Sequence, residues 1–405
     1  MANDQSHGTN LQQSAQVPLG RSIFGIMHVA ILGCRGIPNH YGGFEQFAEQ
    51  LATGLVLEGH RVTVYNSSLH PYREPSYQGV EIIHCYDPED RLGTAGQFVY
   101  DLGCILDARR RKFDVILQLG YTSSAVWYSL HPRAIPVLTN MDGLEWKRSK
   151  YGPWVRRFLR WSEARAAQCS QALIADSLAI QSYLHETHGK PSTYIPYSAV
   201  VRDDLHPEAV HTVLNAYGLT PGAYHLLIAR MEPDNHIHTI LEGHQTACAA
   251  STSTLPLILV GKPANRYAQA LQAKYPDINN PKQAHQRWIG GVYDQNAVEI
   301  LRQNAAWYFH GHSVGGTNPS LLEAMASSCR IMAHDNPFNR AVTGEDAFYF
   351  RNSDEVREHL LANAFLSESS IANNRRKIAD HYTPHGIAHA YQTLLESWAQ
   401  QQTKR

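Results

Sequence analysis

The chain lacks any close pairing of cysteines. Its six, Cys34, Cys85, Cys104, Cys169, Cys248 and Cys329, are scattered with no C-x-x-C among them. That argues against a structural zinc site or a disulfide framework and fits a reducing compartment. Long hydrophobic runs are missing as well; none approaches the ~20 residues of a membrane-spanning helix. Nor is there an excess of charge, since 35 basic and 36 acidic residues leave a formal net charge of -1, which gives no support for a general nucleic-acid binder. Residues 1–27 carry neither the basic patch nor the apolar core of a signal peptide. Polar and rich in Gln, Ser and Asn at their start, they are expected to form a disordered tail.

What is present points to packed α/β structure. A hydrophobic content of 43% against 18% charged suffices for buried cores and is inconsistent with wholesale disorder. A length of 405 residues favours two domains over one. Residues 28–32 (HVAIL) read as a first strand, and GCRGIPNHYGGFE after it is a glycine-rich loop. Phe44, Phe47, Ala48, Leu51 and Leu55 then recur at helical spacing, Gly59 ends that helix, and residues 61–65 make a second strand. Further strands are expected at 80–84, 114–118, 135–139, 172–175 and 193–195, with helices notably at 96–111 and 155–168. Alternating strands and helices imply a parallel sheet covered on both faces. An NAD-type dehydrogenase opens similarly. Here the glycines do not match G-x-G-x-x-G, and the second strand runs into Tyr65-Asn66-Ser67 with no acid to hold a ribose.

Around residues 198–221 the pattern loosens, and a domain linker is placed there. A second βα series follows, with strands at 224–229, 257–260, 287–289, 306–309, 330–333 and 347–350. A last helix is expected over 388–400, with Tyr391, Leu394, Leu395 and Trp398 on one face and a frayed tail beyond. The domains are thus 28–200 and 201–383, followed by a C-terminal helix and tail at 384–405.

Four stretches suggest chemistry. Residues 310–332, HGHSVGGTNPSLLEAMASSCRIM, read as a strand end, a loop and a helix. Gly315 and Gly316 permit close ligand approach, Asn318 can cap the helix, and Pro319 fits its first turn. Free N–H groups and the helix dipole make such a start an anion site, and Glu323, one turn in, can take paired sugar hydroxyls. The same acid near a helix start is also favoured by the dipole alone. Arg230 directly follows a strand, where a guanidinium can grip a diphosphate or pair with Glu232 or Asp234. Asp142 follows another strand; it is either a rim residue at the ligand side of the sheet or an Asx-turn with Gly143. In KRSKYGPWVRRFLRW, Lys147, Arg148 and further basic residues alternate with Tyr151, Trp154, Phe158 and Trp161. That suits either an anionic membrane surface or a solvated helix with a buried aromatic stripe. His310 and His312, like His236 and His238, lack metalloprotease spacing and obvious partners, so no metal is expected. His312 is instead a donor to a phosphate or a sugar hydroxyl.

Taken together and in order, GIPNHYGGFE, DGLEWKRSKY, IADSLAI, ARMEPDN and HGHSVGGTNPSLLEAM resemble the family 4 glycosyltransferases, and more narrowly a bacterial subgroup of rhamnosyltransferases acting in cell-surface polysaccharide assembly. The resemblance runs from about His28 to the C-terminal helix. It implies the GT-B fold, two Rossmann-like parallel-sheet domains facing a central cleft. It also implies transfer of a sugar, L-rhamnose in the narrower subgroup, from a dTDP- or UDP-linked donor to a saccharide or lipid-linked saccharide hydroxyl. Anomeric configuration is retained, with no cofactor and no metal. By the family pattern the Gly42 and Gly43 amides approach the diphosphate and Arg230 grips it. Gly315, Gly316, Thr317 and Asn318 border phosphate and sugar, and Glu323 holds the ribose. Asp142 lies on the acceptor side, and Glu145, Lys147, Arg148 and Trp154 are placed on the acceptor or membrane side. The protein is then cytoplasmic, and peripheral on the inner face of the membrane if that surface is used. Two positions depart from the broad family: Asn235 and His236 stand where a basic partner of Arg230 is usual, and Gly315 replaces the first Glu of a paired-glutamate motif. The second departure suits a deoxysugar with fewer polar contacts. A GT-B-fold sugar-nucleotide epimerase and a non-catalytic nucleotide-sugar-binding scaffold are the alternatives.

Overall fold

The computed structural model describes residues 25–40, 42–276, 286–362 and 366–403. The expected N-terminal tail lies outside the described residues except for its last three; of these Met27 is already buried against the sheet.

Short apolar runs form the strands, and their residues are buried on both faces because helices cover each side. The N-terminal sheet has eight strands in the order β3-β4-β2-β1-β5-β6-β7-β8. They are β1 (His28–Leu32), β2 (Arg61–Ser67), β3 (Ser76–Tyr77), β4 (Val80–Cys85), β5 (Val115–Leu119), β6 (Val137–Asn140), β7 (Ala172–Ala175) and β8 (Ser192–Tyr194). All pair parallel except β3, a two-residue edge strand antiparallel to β4 that hydrophobic patterning is too short to reveal. The C-terminal sheet has six strands, β11-β10-β9-β12-β13-β14, all parallel. They are β9 (His225–Ile228), β10 (Leu257–Val260), β11 (Gln286–Gly290), β12 (Trp307–His310), β13 (Ile331–His334) and β14 (Phe348–Phe350).

Predicted and observed elements agree closely, and the differences have local causes. β6 starts at Val137 rather than residue 135, after Pro136, which has no N–H to give a ladder. The expected linker is not irregular throughout, because it contains the helix Pro207–Ala216, started by a proline in its first turn. The last helix is longer than expected, Pro384–Thr403, so residues 401–403 do not fray.

That last helix returns from the C-terminal lobe to the N-terminal one. Asn140 donates to the Tyr391 hydroxyl at 2.9 Å, Gln392 meets His60 at 3.2 Å, and Leu395 is fully buried. Phe47 and Tyr391 pack ring to ring at 4.9 Å.

The lobes also meet at the C-terminal rims of their sheets, where ligands of open parallel sheets lie. There Gly143, just past β6, faces Gly315 and Gly316, just past β12. A Cβ built on Gly143 would stand 2.5 Å from the Gly315 Cα and 3.3 Å from the Gly316 nitrogen. A Cβ on Gly316 would fall inside the carboxylate of Asp176, the residue after β7. Thr317 completes the contact, its hydroxyl donating to the Asp176 carbonyl. This approach is possible only between bare backbones. We expect Gly143→Ala to push the lobes apart, at a cost of about 1–3 kcal/mol, the usual range for an overpacked methyl. A lower denaturation midpoint with an increased radius of gyration in solution scattering is the expected result, and an unchanged radius and midpoint would show that the contact does not set the lobe spacing.

Candidate active site

Two helices point their N-termini at the interlobe contact. In Gly43–Leu57, Gly42 sits at the cap position with extended backbone and the helix offers its first amides. In Pro319–Ala326, the Asn318 side chain accepts from the Ser320 amide at 3.0 Å and Pro319 occupies the first turn, as read from the sequence. A Cβ on Gly43 would come within 3.7 Å of Pro319, so the two starts abut across the cleft. Both positive dipole ends therefore converge on one place, an arrangement that favours an anion.

The glycine loop before the first of these helices is pinned by Asn66. Its side chain accepts from the Ile37 amide at 3.0 Å and donates to the Ile37 carbonyl at 2.8 Å. Where a dinucleotide-binding fold would need an acid, this chain uses an amide to fix its own loop. Tyr41, between the glycines and Pro38, lies outside the described residues.

Arg230 is exposed just past β9. Among the described residues neither of its acidic neighbours neutralises it, because the opposite lobe has taken both. Asp234 accepts from the Ser149 amide at 3.0 and 3.2 Å, and Glu232 pairs with Lys150 at 3.8 Å. The alternative of a local ion pair for Arg230 is thereby set aside. The same clasp carries Arg148 into the cleft. It is largely buried and ion-paired to Glu145 at 2.7 Å. Burial, then the charges of Arg230 and Arg148, hold the His312 imidazole down at about 3. His312 is thus neutral at physiological pH, flanked by one guanidinium from each lobe. Burial, then the neighbouring His312, Arg302 and His334, likewise holds His310 well below its ordinary value. The His236 Nδ1 meets the Gly311 carbonyl at 2.9 Å, so that nitrogen carries the proton, and its ring stacks on His334 at 3.8 Å.

Asp142 has a left-handed backbone, φ +46°, and its amide is bonded by the Asn140 side chain at 2.9 Å. The Tyr197 hydroxyl donates to its carboxylate at 3.3 Å. Burial, then repulsion from Glu145, raises its carboxyl to about 6, against the pull of Arg148, the Gly143 amide and Tyr197.

Glu323 lies one turn into its helix, as expected, but it is not free. Arg302, 4% exposed, donates to its Oε2 at 2.5 Å. Burial is the largest influence and disfavours the arginine's charge, yet Glu323 together with Tyr308, Cys329 and Glu299 outweighs it and keeps Arg302 charged. One carboxylate oxygen is therefore committed within the lobe and Oε1 is left for a ligand. Sequence reasoning missed Arg302; the signal was a charged residue, one turn after Glu299, among the apolar positions of the helix Gln295–Gln303. It also missed Glu163, which lies under the 142–148 loop. Trp146, Tyr121, Tyr183 and His188 converge on its carboxylate at 3.1, 3.2, 2.7 and 2.9 Å.

The remaining predicted residues lie away from the anion site. Lys147 is exposed beside the Trp146 ring, 5.5 Å from its centroid. Trp154 stands on the outer helix Pro153–Cys169, 83% exposed, with Trp161 at 48%. The buried aromatic stripe read as one option for this helix is not formed there, because Leu159, Ser162, Glu163, Ala166 and Ala167 make the buried face instead. Among the described residues no three His, Cys, Asp or Glu side chains gather as a metal site, and no helix is long and apolar enough to cross a membrane.

Comparison with known proteins places the fold. Residues 26–200 match the profile of a domain of unknown function, DUF1972. No curated protein matches the sequence significantly. Sucrose-phosphate synthase of Thermosynechococcus elongatus superposes with a TM-score of 0.73 at 14% identity, over 92% of this chain and 98% of that one. HepE of Anabaena, solved with UDP-glucose, gives 0.70 at 14% identity, over 92% and 100%. A glycosyltransferase of Rickettsia africae gives 0.67 at 10% identity, over 93% and 99%. At these identities the likeness shows a shared architecture, and that architecture is the two-lobed GT-B fold of nucleotide-sugar glycosyltransferases.

Proposed function

We propose that this chain is a retaining hexosyltransferase-type enzyme. It moves a sugar, L-rhamnose by the motif resemblance, from a dTDP- or UDP-linked donor to a saccharide or lipid-linked saccharide hydroxyl in surface polysaccharide synthesis. One observation carries the reading: among the described residues Arg230 stands without an acidic ion-pair partner, because the opposite lobe holds its neighbouring acids, and its charge reaches His312 in the loop that leads to the Pro319 helix start, which abuts that of Gly43–Leu57. That combination is suited to a diphosphate, and HepE, of the same fold, is known with UDP-glucose bound.

In this scheme the donor diphosphate lies across the helix starts, with the Gly42, Gly43 and Gly315–Asn318 backbone close to it and Arg230 on its charge. His312 supplies a neutral N–H beside it, and Glu323 receives the ribose hydroxyls through its uncommitted oxygen. As the anomeric carbon–oxygen bond breaks, the sugar acquires oxocarbenium character and the electron pair stays on phosphate. Arg230 and the amides stabilise that charge by roughly 3–4 kcal/mol for each well-placed donor. The acceptor oxygen attacks from the same face, and its proton passes to the departing phosphate. Asp142 orients that hydroxyl and needs its carboxylate form to do so.

Arg230→Ala is expected to lower turnover about a hundredfold or more, the scale seen for losing one such donor. Acceptor-dependent release of nucleoside diphosphate is the assay, and near-native turnover by folded variant removes Arg230 from the mechanism. Release of a new sugar nucleotide from donor alone would instead identify an epimerase.

The raised carboxyl of Asp142 gives a pH test. Activity should fall as pH drops below about 6 in the wild type. Asp142→Asn should lose that inflection and sit about a hundredfold or more below the wild-type plateau. Because its folded value lies above its unfolded one, charge on Asp142 costs stability as pH rises through about 6. The amide variant should accordingly melt no lower than wild type at pH 7. A retained acid limb in the variant would assign the titration to another group.

The exposed Trp154 and Trp161 on a helix rich in arginine suggest how a lipid-linked acceptor is met. Co-sedimentation with anionic liposomes should be strong at low salt, weaken as salt rises, and drop in Trp154→Ala. Absence of binding at low salt would remove the membrane from the proposal.

A further inference from the structure

Asp176 has no evident structural reason to be an acid. It is 1% exposed at the C-terminal rim of β7, next to the strand that carries Asp142. Neither of its carboxylate oxygens finds a hydrogen-bond partner of normal geometry among the described residues. The groups around it are Asp142, Tyr194, Tyr197, Tyr391, and the amides of Asp176 itself and of Thr317, which are near enough to favour its charge. No arginine or lysine is among them. An uncompensated buried carboxylate is a standing cost to the fold, and burial with the neighbouring Asp142 pushes its carboxyl well above the ordinary range.

The surroundings say what it could serve. Its carboxylate fills the place where a side chain at Gly316 would stand. The loop it meets has bare glycines at 315 and 316, and the Thr317 hydroxyl is turned onto the Asp176 carbonyl. The phosphate-side loop therefore brings no side-chain acceptor of its own to this spot. Asp176 brings one from the opposite lobe, with two oxygens side by side. Vicinal sugar hydroxyls are paired donors in search of such acceptors.

We infer that Asp176 reads the sugar of the nucleotide sugar, accepting hydrogen bonds from adjacent ring hydroxyls when the lobes part and the ring takes the place of Gly316 against it. The inference rests on the reading of the cleft as a nucleotide-sugar site. It makes Asp176 a determinant of sugar recognition that is separate from the diphosphate grip of Arg230 and the helix starts. Gly316 is then bare for a second reason, to admit the carboxylate.

The test is calorimetric binding of UDP, dTDP, UDP-glucose and dTDP-L-rhamnose to the full chain and to Asp176→Asn. The amide keeps the shape and removes a buried charge, so its melting temperature should equal or exceed that of wild type; Asp176→Ser serves if the amide does not fold. The expected result is bare-nucleotide affinity within about twofold of wild type, with the preferred sugar nucleotide weakened about ten- to a hundredfold, the scale of a hydrogen bond to a charged group. Unchanged sugar-nucleotide affinity overturns the inference and leaves the cleft reading intact. Equal weakening of nucleotide and sugar nucleotide also overturns it, since Asp176 would then only support the fold. If wild type binds none of the four ligands, the cleft reading itself fails and this inference with it.

Discussion

Backbone meets backbone where the lobes touch, with a Cβ on Gly143 reaching to 2.5 Å from the Gly315 Cα. Most of the site's geometry depends on this constraint. Without side chains at 143, 315 and 316, the C-terminal rims of two separate sheets come close enough for one ligand to touch both. The price of a methyl at that point would be taken directly from the gap, because neither partner is the flexible end of a side chain. The three glycines differ in kind. Gly315, at φ +135°, also needs its backbone freedom, whereas Gly143 and Gly316 are required only by the space they leave.

The clasp from residues 149 and 150 has an electrostatic consequence beyond holding the lobes. By occupying Asp234 and Glu232 it leaves Arg230 without an ion pair among the described residues, and it brings Arg148 within electrostatic reach of His312. Two guanidinia then act on one imidazole, His312, and two helix starts abut at the end of the same loop. Each of these would be mildly unfavourable next to the others in water. Under the proposed function a diphosphate among them would relieve all four at once, which is the physical sense in which a site is preorganised for charge. Glu145 on Arg148 and Glu323 on Arg302 restrain the cations without cancelling Arg230.

Much of this was legible in the sequence, and the pattern of success has a physical cause. β1, β9, β10 and β12 were readable because buried parallel strands are short, mostly apolar and ended by loop residues, and β2 because Val62, Val64 and Tyr65 are β-formers that follow Gly59. The start of Pro319–Ala326 was readable because Asn318 and Pro319 are local signals whose partners lie one or two residues away. Arg302, Glu163 and Asp176 were not, because what defines them is far off in the chain: Arg302 meets Glu323, Glu163 meets Tyr121, and Asp176 meets Gly316. Periodicity reports which face of an element is buried, not what the buried polar group meets. The aromatic stripe of Pro153–Cys169 misled for the converse reason. Trp154 and Trp161 look like core by composition, yet the helix turns Leu159, Ser162, Ala166 and Ala167 inward together with Glu163.

The cleft that results is unlike on its two sides. One side gathers Arg230, the Pro319 helix start and neutral histidines from the C-terminal lobe, joined by Arg148 and the Gly43 helix start from the other. The rims of β6, β7 and β8 contribute Asp142, Asp176 and the Tyr197 phenol. A nucleotide sugar is itself unlike at its two ends, anionic at the diphosphate and rich in hydroxyl donors at the ring. Laid with its diphosphate toward the first side, it would direct its ring hydroxyls toward the carboxylates of the second. Reversed, it would set phosphate against two buried acids whose charge burial already disfavours. For the proposed nucleotide sugar, orientation would thus be decided by the sign of the charges on each side before any hydrogen bond to a particular base or sugar is counted.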